Sequence, residues 1–175
     1  MESFNTIEKV RDLFEQKGMN RTTNCYFVAY RNTNKDSMKY GLVGGLVGGA
    51  IGGAIAGAIG AAINGTLEGI DKHDGYLLNS TEEGIAIIPM DYKGVMMTIN
   101  PSKMVPVLEK AVFVSNEGIE SIVAKNYNIF NSKVKTVNMV FKDETKLCLI
   151  VKAVEKDIPY HQDNFNKFFE KYKKK

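Results

Sequence analysis

The stretch from Gly41 to Gly65, GLVGGLVGGAIGGAIAGAIGAAING, holds no charged residue and, before Asn64, no polar side chain. From Leu42 onward it divides into the tetrads LVGG, LVGG, AIGG, AIAG, AIGA and AING. The second position is always Val43, Val47, Ile51, Ile55, Ile59 or Ile63. The fourth is Gly45, Gly49, Gly53, Gly57 or Gly65, with Ala61 the exception. On a helix, residues four apart lie nearly above one another. The Val/Ile row then forms a ridge and the Gly row a flat groove on the opposite side, the small-xxx-small pattern of close helix packing in lipid. Each interior Gly costs roughly 1 kcal/mol relative to Ala. Such a helix therefore needs lipid, where every backbone group must bond internally, or tight packing against another helix. As one helix it would be about 37 Å long at 1.5 Å per residue, enough to span a hydrocarbon core. Two other readings stay open: a helical insert buried in a soluble protein, and extended structure, since a period of four also keeps a period of two. The regular Val/Ile positions argue against a flexible linker.

The rest of the chain reads as one domain. With 175 residues, 44% hydrophobic and 25% charged, the composition is that of a globular protein. The net charge of +3 gives no reason to expect nucleic acid. Cys25 and Cys148 are isolated in sequence and make neither a disulfide framework nor a zinc site, so a reducing cytoplasm is the simplest home. MESFNTIEKVRDLFEQKG is amphipathic and acidic, unlike a signal peptide. The Lys, Asn and Ile richness suggests an AT-rich bacterial genome.

Residues 3–17 are expected to form a helix with Phe4, Ile7, Val10, Leu13 and Phe14 on one face. Asn5 and Glu8 have capping-box spacing and Gly18 supplies a stop. CYFVAY, Cys25 to Tyr30, reads as a strand. Short strands with turn signals follow from Gly75: Tyr76–Asn79, Gly84–Pro89, Gly94–Ile99, Ala111–Ser115, Gly118–Lys125, Lys133–Phe141 and Lys146–Val154. Asn100 to Lys110 is a Pro-marked connection. His161 to Tyr172 is a closing helix with Phe165, Phe168, Phe169 and Tyr172 on its apolar face and lysines near its end.

GYLLNSTEEGIAIIP resembles the hairpin of bacterial pleckstrin-homology-like (PH-like) proteins in which a strand is followed by a T-x-x-G-I strand. FVSNEGIESIVAKNYNIFNSKVKTVNMVFKDETKLCLIV is similar to their later long strands, and IPYHQDNFNKFFEKYK to their closing helix. The resemblance covers about residues 75–175. It implies an α+β fold: a PH-like antiparallel β-barrel closed by a C-terminal amphipathic helix, here with an N-terminal helix and a Gly-rich apolar helical insert. The expected organisation is 1–40 for the N-terminal helix plus strand, 41–66 for the glycine zipper, and 67–175 for the barrel. The resemblance implies a binding module with no shared catalytic residues. Some eukaryotic relatives bind phosphoinositides with basic residues in the first inter-strand loop, and no such cluster stands at a matching position here.

Candidate chemistry is sparse. Asp71, His73 and Asp74 could ligate a metal, but a solvated loop accounts for them; His161 and Asp163 sit where helix capping explains them. Glu82 and Glu83 occupy a turn. The glycines lack the Gly-Lys-Ser/Thr end of a P-loop, and no catalytic constellation or cofactor is expected. The site residues are therefore those of helix packing or membrane contact: Gly45, Gly49, Gly53, Gly57, Val43, Val47, Ile51, Ile55 and Ile59. Membrane lipid and a homo-oligomer through the glycine row are the expected partners; the barrel's ligand is open.

Three functions compete. One is a membrane-associated protein with the barrel as its head, on the cytoplasmic side. Another is a soluble homo-oligomeric module with the glycine helix buried in the assembly, and the third is a small membrane-permeabilising protein. Topology sets two arguments against each other. Arg31, Lys35 and Lys39 precede the stretch and Lys72 follows, which by the positive-inside rule places only the N-terminal side in the cytoplasm. If Cys25–Tyr30 belongs to the barrel, however, both ends share one compartment, and the stretch turns back near Ala54 to Ala58 or lies within protein. The second outcome is the expected one.

Overall fold

The computed structural model describes residues 4–33, 62–93, 100–128 and 131–173. The helix-packing residues Val43, Gly45, Val47, Gly49, Ile51, Gly53, Ile55, Gly57 and Ile59, and the expected Gly94–Ile99 strand, lie outside the described residues. Among the described residues the fold is α+β, with two α-helices and one mostly antiparallel sheet. In chain order the elements are α1 (Ile7–Gln16), β1 (Cys25–Arg31), β2 (Ile63–Asn64), β3 (Gly75–Ser80), β4 (Gly84–Tyr92), β5 (Met104–Pro106), β6 (Val112–Ser115), β7 (Ile119–Asn128), β8 (Asn131–Phe141), β9 (Lys146–Lys152) and α2 (His161–Tyr172). The sheet runs β2-β6-β4-β3-β1-β9-β8-β7, with β5 added on β4. Among the described residues no helix is long and apolar enough to cross a membrane.

β1, the strand expected at Cys25–Tyr30, lies inside the sheet between β3 and β9. Its alternation feeds two clusters. Phe27 and Ala29 point to one side, with Tyr76, Leu78, Ile85, Ile87, Val137, Leu149 and the α2 residues Phe165 and Phe168. Tyr26, Val28 and Tyr30 point to the other, with Leu77, Ile88 and the α1 residues Val10, Leu13 and Phe14. Burial on both faces explains why β3 and β4 read as near-continuous apolar runs rather than alternating ones. One hydrophobic cluster joins the α2 aromatics to side chains of β6, near one end of the strand order, and to Ala124 of β7 at the other, which requires the sheet to bend.

The expected closed barrel is not formed among the described residues. Closure needs the first and last strands to pair, and β2 and β7 do not. β2 is only two residues long, and Ala124 of β7 instead bridges Lys173 just past α2, whose aromatic face fills the enclosed side. Other expectations shift less. The α1 cap is Thr6, in extended conformation with its Oγ1 accepting from Lys9 N–H at 3.4 Å, rather than Asn5. Gly18, at φ +64°, ends the helix as expected. The connection Asn100–Lys110 contains β5, whose Pro106 sits opposite Met90. Gly65 does not continue a helical row: it follows β2 at φ +113°, and a Cβ there would stand 2.9 Å from the Ala111 carbonyl oxygen.

β1 and β9 pair directly only at Tyr30↔Ile150 and Arg31↔Leu149. Continued by two residues, that register would set Val28 opposite Lys152. The His161 imidazole stands between them instead. Val28 N–H donates to its Nδ1 at 3.1 Å, and its Nε2 donates to the Lys152 carbonyl at 2.7 Å. Because Nδ1 accepts, the ring is neutral with its proton on Nε2. Asn164, one turn on, donates from Nδ2 to the Tyr26 carbonyl at 3.1 Å. Side chains of α2 thus take over the edge of β1 where β9 diverges, a role that capping at the helix start does not describe. Tyr30 donates to the buried Glu155 carboxylate at 2.5 Å beside the same joint, and burial with that carboxylate pushes its phenol pKa up.

Two predictions follow from this core. Phe168 is 2% exposed and packs with its ring tilted, 4.7 Å from that of Phe27; Phe168→Ala is expected to lower unfolding free energy in urea by about 3–5 kcal/mol. Burial lowers the His161 pKa below 6.5, opposed by the Lys152 carbonyl and the Glu155 carboxylate and aided by the Lys152 ammonium. The unfolded chain then protonates before the folded one, so the contribution of the neutral ring is complete above about pH 6.5 and declines as pH falls from there toward the folded-state pKa. Urea melts at about pH 7.5 and pH 5.5 should show the loss on the acid side, and His161→Gln should shrink the difference between them.

Candidate functional site

At the Cys25 end of β1 a groove of about 530 Å³ opens between the β3–β4 turn and the last turns of α2. Its walls are built by buried polar groups. Asn79, fully buried on β3, accepts from Cys25 N–H at 3.0 Å and donates to Asn24 Oδ1 at 2.8 Å and to the Met19 carbonyl at 3.3 Å. It ties the α1–β1 loop to the sheet. Thr81 closes the β3–β4 turn: its hydroxyl donates to the Gly84 carbonyl and accepts from Gly84 N–H and Glu83 N–H. Glu82 reaches across to Thr23, accepting from its backbone N–H at 3.1 Å and from its hydroxyl. The Thr23 hydroxyl, more than any charge, holds the Glu82 carboxyl below the usual range. Beside it Arg21 pairs with Glu83 at 2.5 Å and lies 4.4 Å over the Phe113 ring. The two glutamates of the turn are thus staples between loops.

The floor is formed by Cys25 and Phe168, and the far rim by Lys167 and Lys171 of α2. The Cys25 thiol donates to the Asn164 carbonyl at 2.8 Å. Burial pushes its pKa up, while both lysines pull it down. The two lysines and Cys25 thus line one opening. Neither lysine is ion-paired among the described residues; Lys171 lies 4.9 Å over the Tyr172 ring.

The other sequence candidates are structural. His73 Nδ1 lies 2.7 Å from Asp91, and Asp74 accepts from Tyr92 N–H at 3.0 Å and lies 3.8 Å from Arg31. These groups pin the loop before β3 to β4 and β1. Among the described residues no three His, Cys, Asp or Glu side chains are placed to hold a metal. Both cysteines are free. The groove was not foreseen from the sequence. Its signal is the pair Lys167 and Lys171, four apart on one helix face, a spacing that also fits the solvated side of an amphipathic helix.

The turn that walls the groove depends on Gly84, where a Cβ would meet the Val114 carbonyl oxygen at 2.1 Å and Ser115 Cα at 2.7 Å. Gly84→Ala should force β4 from β6 and lower stability by about 1–3 kcal/mol or more, read as a reduced urea midpoint. No protein-family model, curated protein or solved structure matches the chain, so its function has to be read from its own residues.

Proposed function

We propose that this chain is a non-enzymatic, membrane-associated binding protein: the glycine-rich segment inserts in lipid or self-associates, and the sheet domain, PH-like in its order of strands and closing helix, is the interaction head. The observation that carries the reading is the place of β1. It is hydrogen-bonded on both sides, by β3 and β9, so the chain before residue 34 and the chain after residue 61 belong to one folded unit. The two flanks then share one side of any membrane. Arg31 supports this: its guanidinium donates to the Lys72 backbone carbonyl at 3.0 Å, so the last described cation before the stretch and the loop carrying the first cation after it lie together. A single crossing is excluded on this reading. Each arm of a helical hairpin drawn from residues 34–61 would be about 20 Å long, short of the roughly 30 Å hydrocarbon core.

A second reading, a homo-oligomer with the glycine helix buried in the assembly, has its own support. Ile63 lies opposite Val114, Val114 opposite Ile85, Ile85 opposite Ser80 and Ser80 opposite Cys25. The segment thus departs beyond Arg31, at one end of the strands, and returns at the Cys25 end, about 20 Å away along the strand direction. One helix through residues 34–61 would be about 42 Å long, enough to cover that distance alongside protein.

The topology is tested in a Cys25→Ser/Cys148→Ser background with Glu15→Cys or Glu170→Cys introduced singly. Equal accessibility of the two sites in intact cells is expected, and opposite accessibility would sink the one-sided arrangement. Gly49→Leu and Gly53→Leu fill the flat face; loss of crosslinked oligomers and of vesicle co-sedimentation, with far-UV circular dichroism unchanged, is the expected outcome. A wild-type chain that stays wholly in the soluble fraction yet crosslinks would favour the second reading.

A further inference from the structure

We propose that the groove between the β3–β4 turn and α2 binds a singly charged oxyanion of the phosphodiester type, held by Lys167 and Lys171. This names a ligand for the head and rests on the reading of the sheet domain as a binding module. The lysines are four residues apart on one helix face, so their stems emerge about 5–6 Å apart, and like charges at that spacing destabilise a helix. The fold offers no relief, since neither is ion-paired among the described residues. Both lysines line the same groove as Cys25 and Phe168, so an anion held between their ammonium groups would sit over that floor.

The charge of the ligand follows from the groove itself. Two ammonium ions face one carboxylate, Glu82, whose oxygens are engaged by Thr23 N–H and the Thr23 hydroxyl. The balance is a single positive charge, which a monoanion neutralises and a dianion overshoots. Asn24 and Thr81 spend their polar atoms on the walls, leaving the two ammonium groups as the charged donors, with the Ser80 hydroxyl beside them in the lining. Two point-charge donors suit an anion with two free oxygens, and the Phe168 and Cys25 floor suits an ester carrying an apolar body. A diester of this kind occurs in a phospholipid headgroup and in its soluble deacylated form.

Cys25 reports occupancy. In the Cys148→Ser full-length chain, alkylation of Cys25 by N-ethylmaleimide is followed with glycerophosphoglycerol, with phosphatidylglycerol vesicles, and with phosphatidylcholine vesicles. At least threefold slowing by phosphatidylglycerol is expected, diminishing as salt rises, and weaker slowing by phosphatidylcholine, whose choline cation offsets the charge of the same phosphodiester. Slowing by glycerophosphoglycerol as well identifies a site for the diester wherever it is carried, and slowing by vesicles alone identifies the lipid as its source. Lys167→Gln/Lys171→Gln, at two exposed positions, should abolish protection with a urea midpoint no lower than that of the wild type. Glu82→Gln should strengthen it by removing the opposing charge. Protection by neither ligand, or protection that survives the double lysine change, overturns the assignment. A chain that sediments with vesicles while Cys25 stays unprotected keeps membrane association and loses the groove as its ligand site.

Discussion

The imidazole of His161 occupies the place of a missing rung in the sheet. β1 and β9 run side by side for two residue pairs and then part, and a strand edge inside a folded domain cannot leave its N–H and C=O groups unbonded without a cost of about 1–3 kcal/mol each. His161 accepts from Val28 on one strand and donates to Lys152 on the other, and Asn164 meets the Tyr26 carbonyl one turn later. The same turn of α2 that satisfies this edge also sets Phe165 and Phe168 against Phe27. Backbone satisfaction and aromatic packing therefore fix the helix in one position. A neutral histidine suits the joint because one ring presents an acceptor and a donor on opposite sides.

Everything at the Cys25 end depends on that placement. With α2 held over the start of β1, Lys167 and Lys171 hang beside the β3–β4 turn, and the turn is in turn fixed by Asn79, Thr81 and the Glu82–Thr23 bond. The groove is thus a product of three segments distant in sequence: residues 21–25, residues 80–84 and the end of α2. Its rigid walls and its paired cations are different in kind. The walls use up their hydrogen bonds internally, while the cations are left to act outward.

The place of β1 within the sheet, between β3 and β9, also constrains the glycine-rich segment without any reference to its own conformation. A chain that departs from a strand bonded on both edges, and returns to a strand paired with β6, has both flanks in one body. Charge counting along the sequence treats Arg31 and Lys72 as opposite flanks of a hydrophobic span. In the fold the Arg31 guanidinium is hydrogen-bonded to the Lys72 backbone carbonyl, so these two positions belong to one folded unit.

Hydrophobic periodicity and turn residues determined much of the element list. The closing helix, the strands on both sides of the Ser80–Glu83 turn and the β8–β9 hairpin stand where the alternation and the polar turns put them, because each of these signals is local. The apolar pattern of Val10, Leu13 and Phe14 likewise marked the face that α1 buries. Other features follow from contacts that no local window contains. Whether the strands close into a barrel depends on the pairing of β2 and β7, one two residues long and the other bridged to Lys173. The role of His161 depends on Val28 and Lys152, far from one another in the chain, and Gly65 left the glycine rhythm because the Ala111 backbone approaches it closely. The groove belongs to the same class. Lys167, Lys171, Glu82 and Cys25 carry no spacing that relates them, since an electrostatic site is defined by distance through space, and only the packing of α2 on β1 brings these charges to one opening.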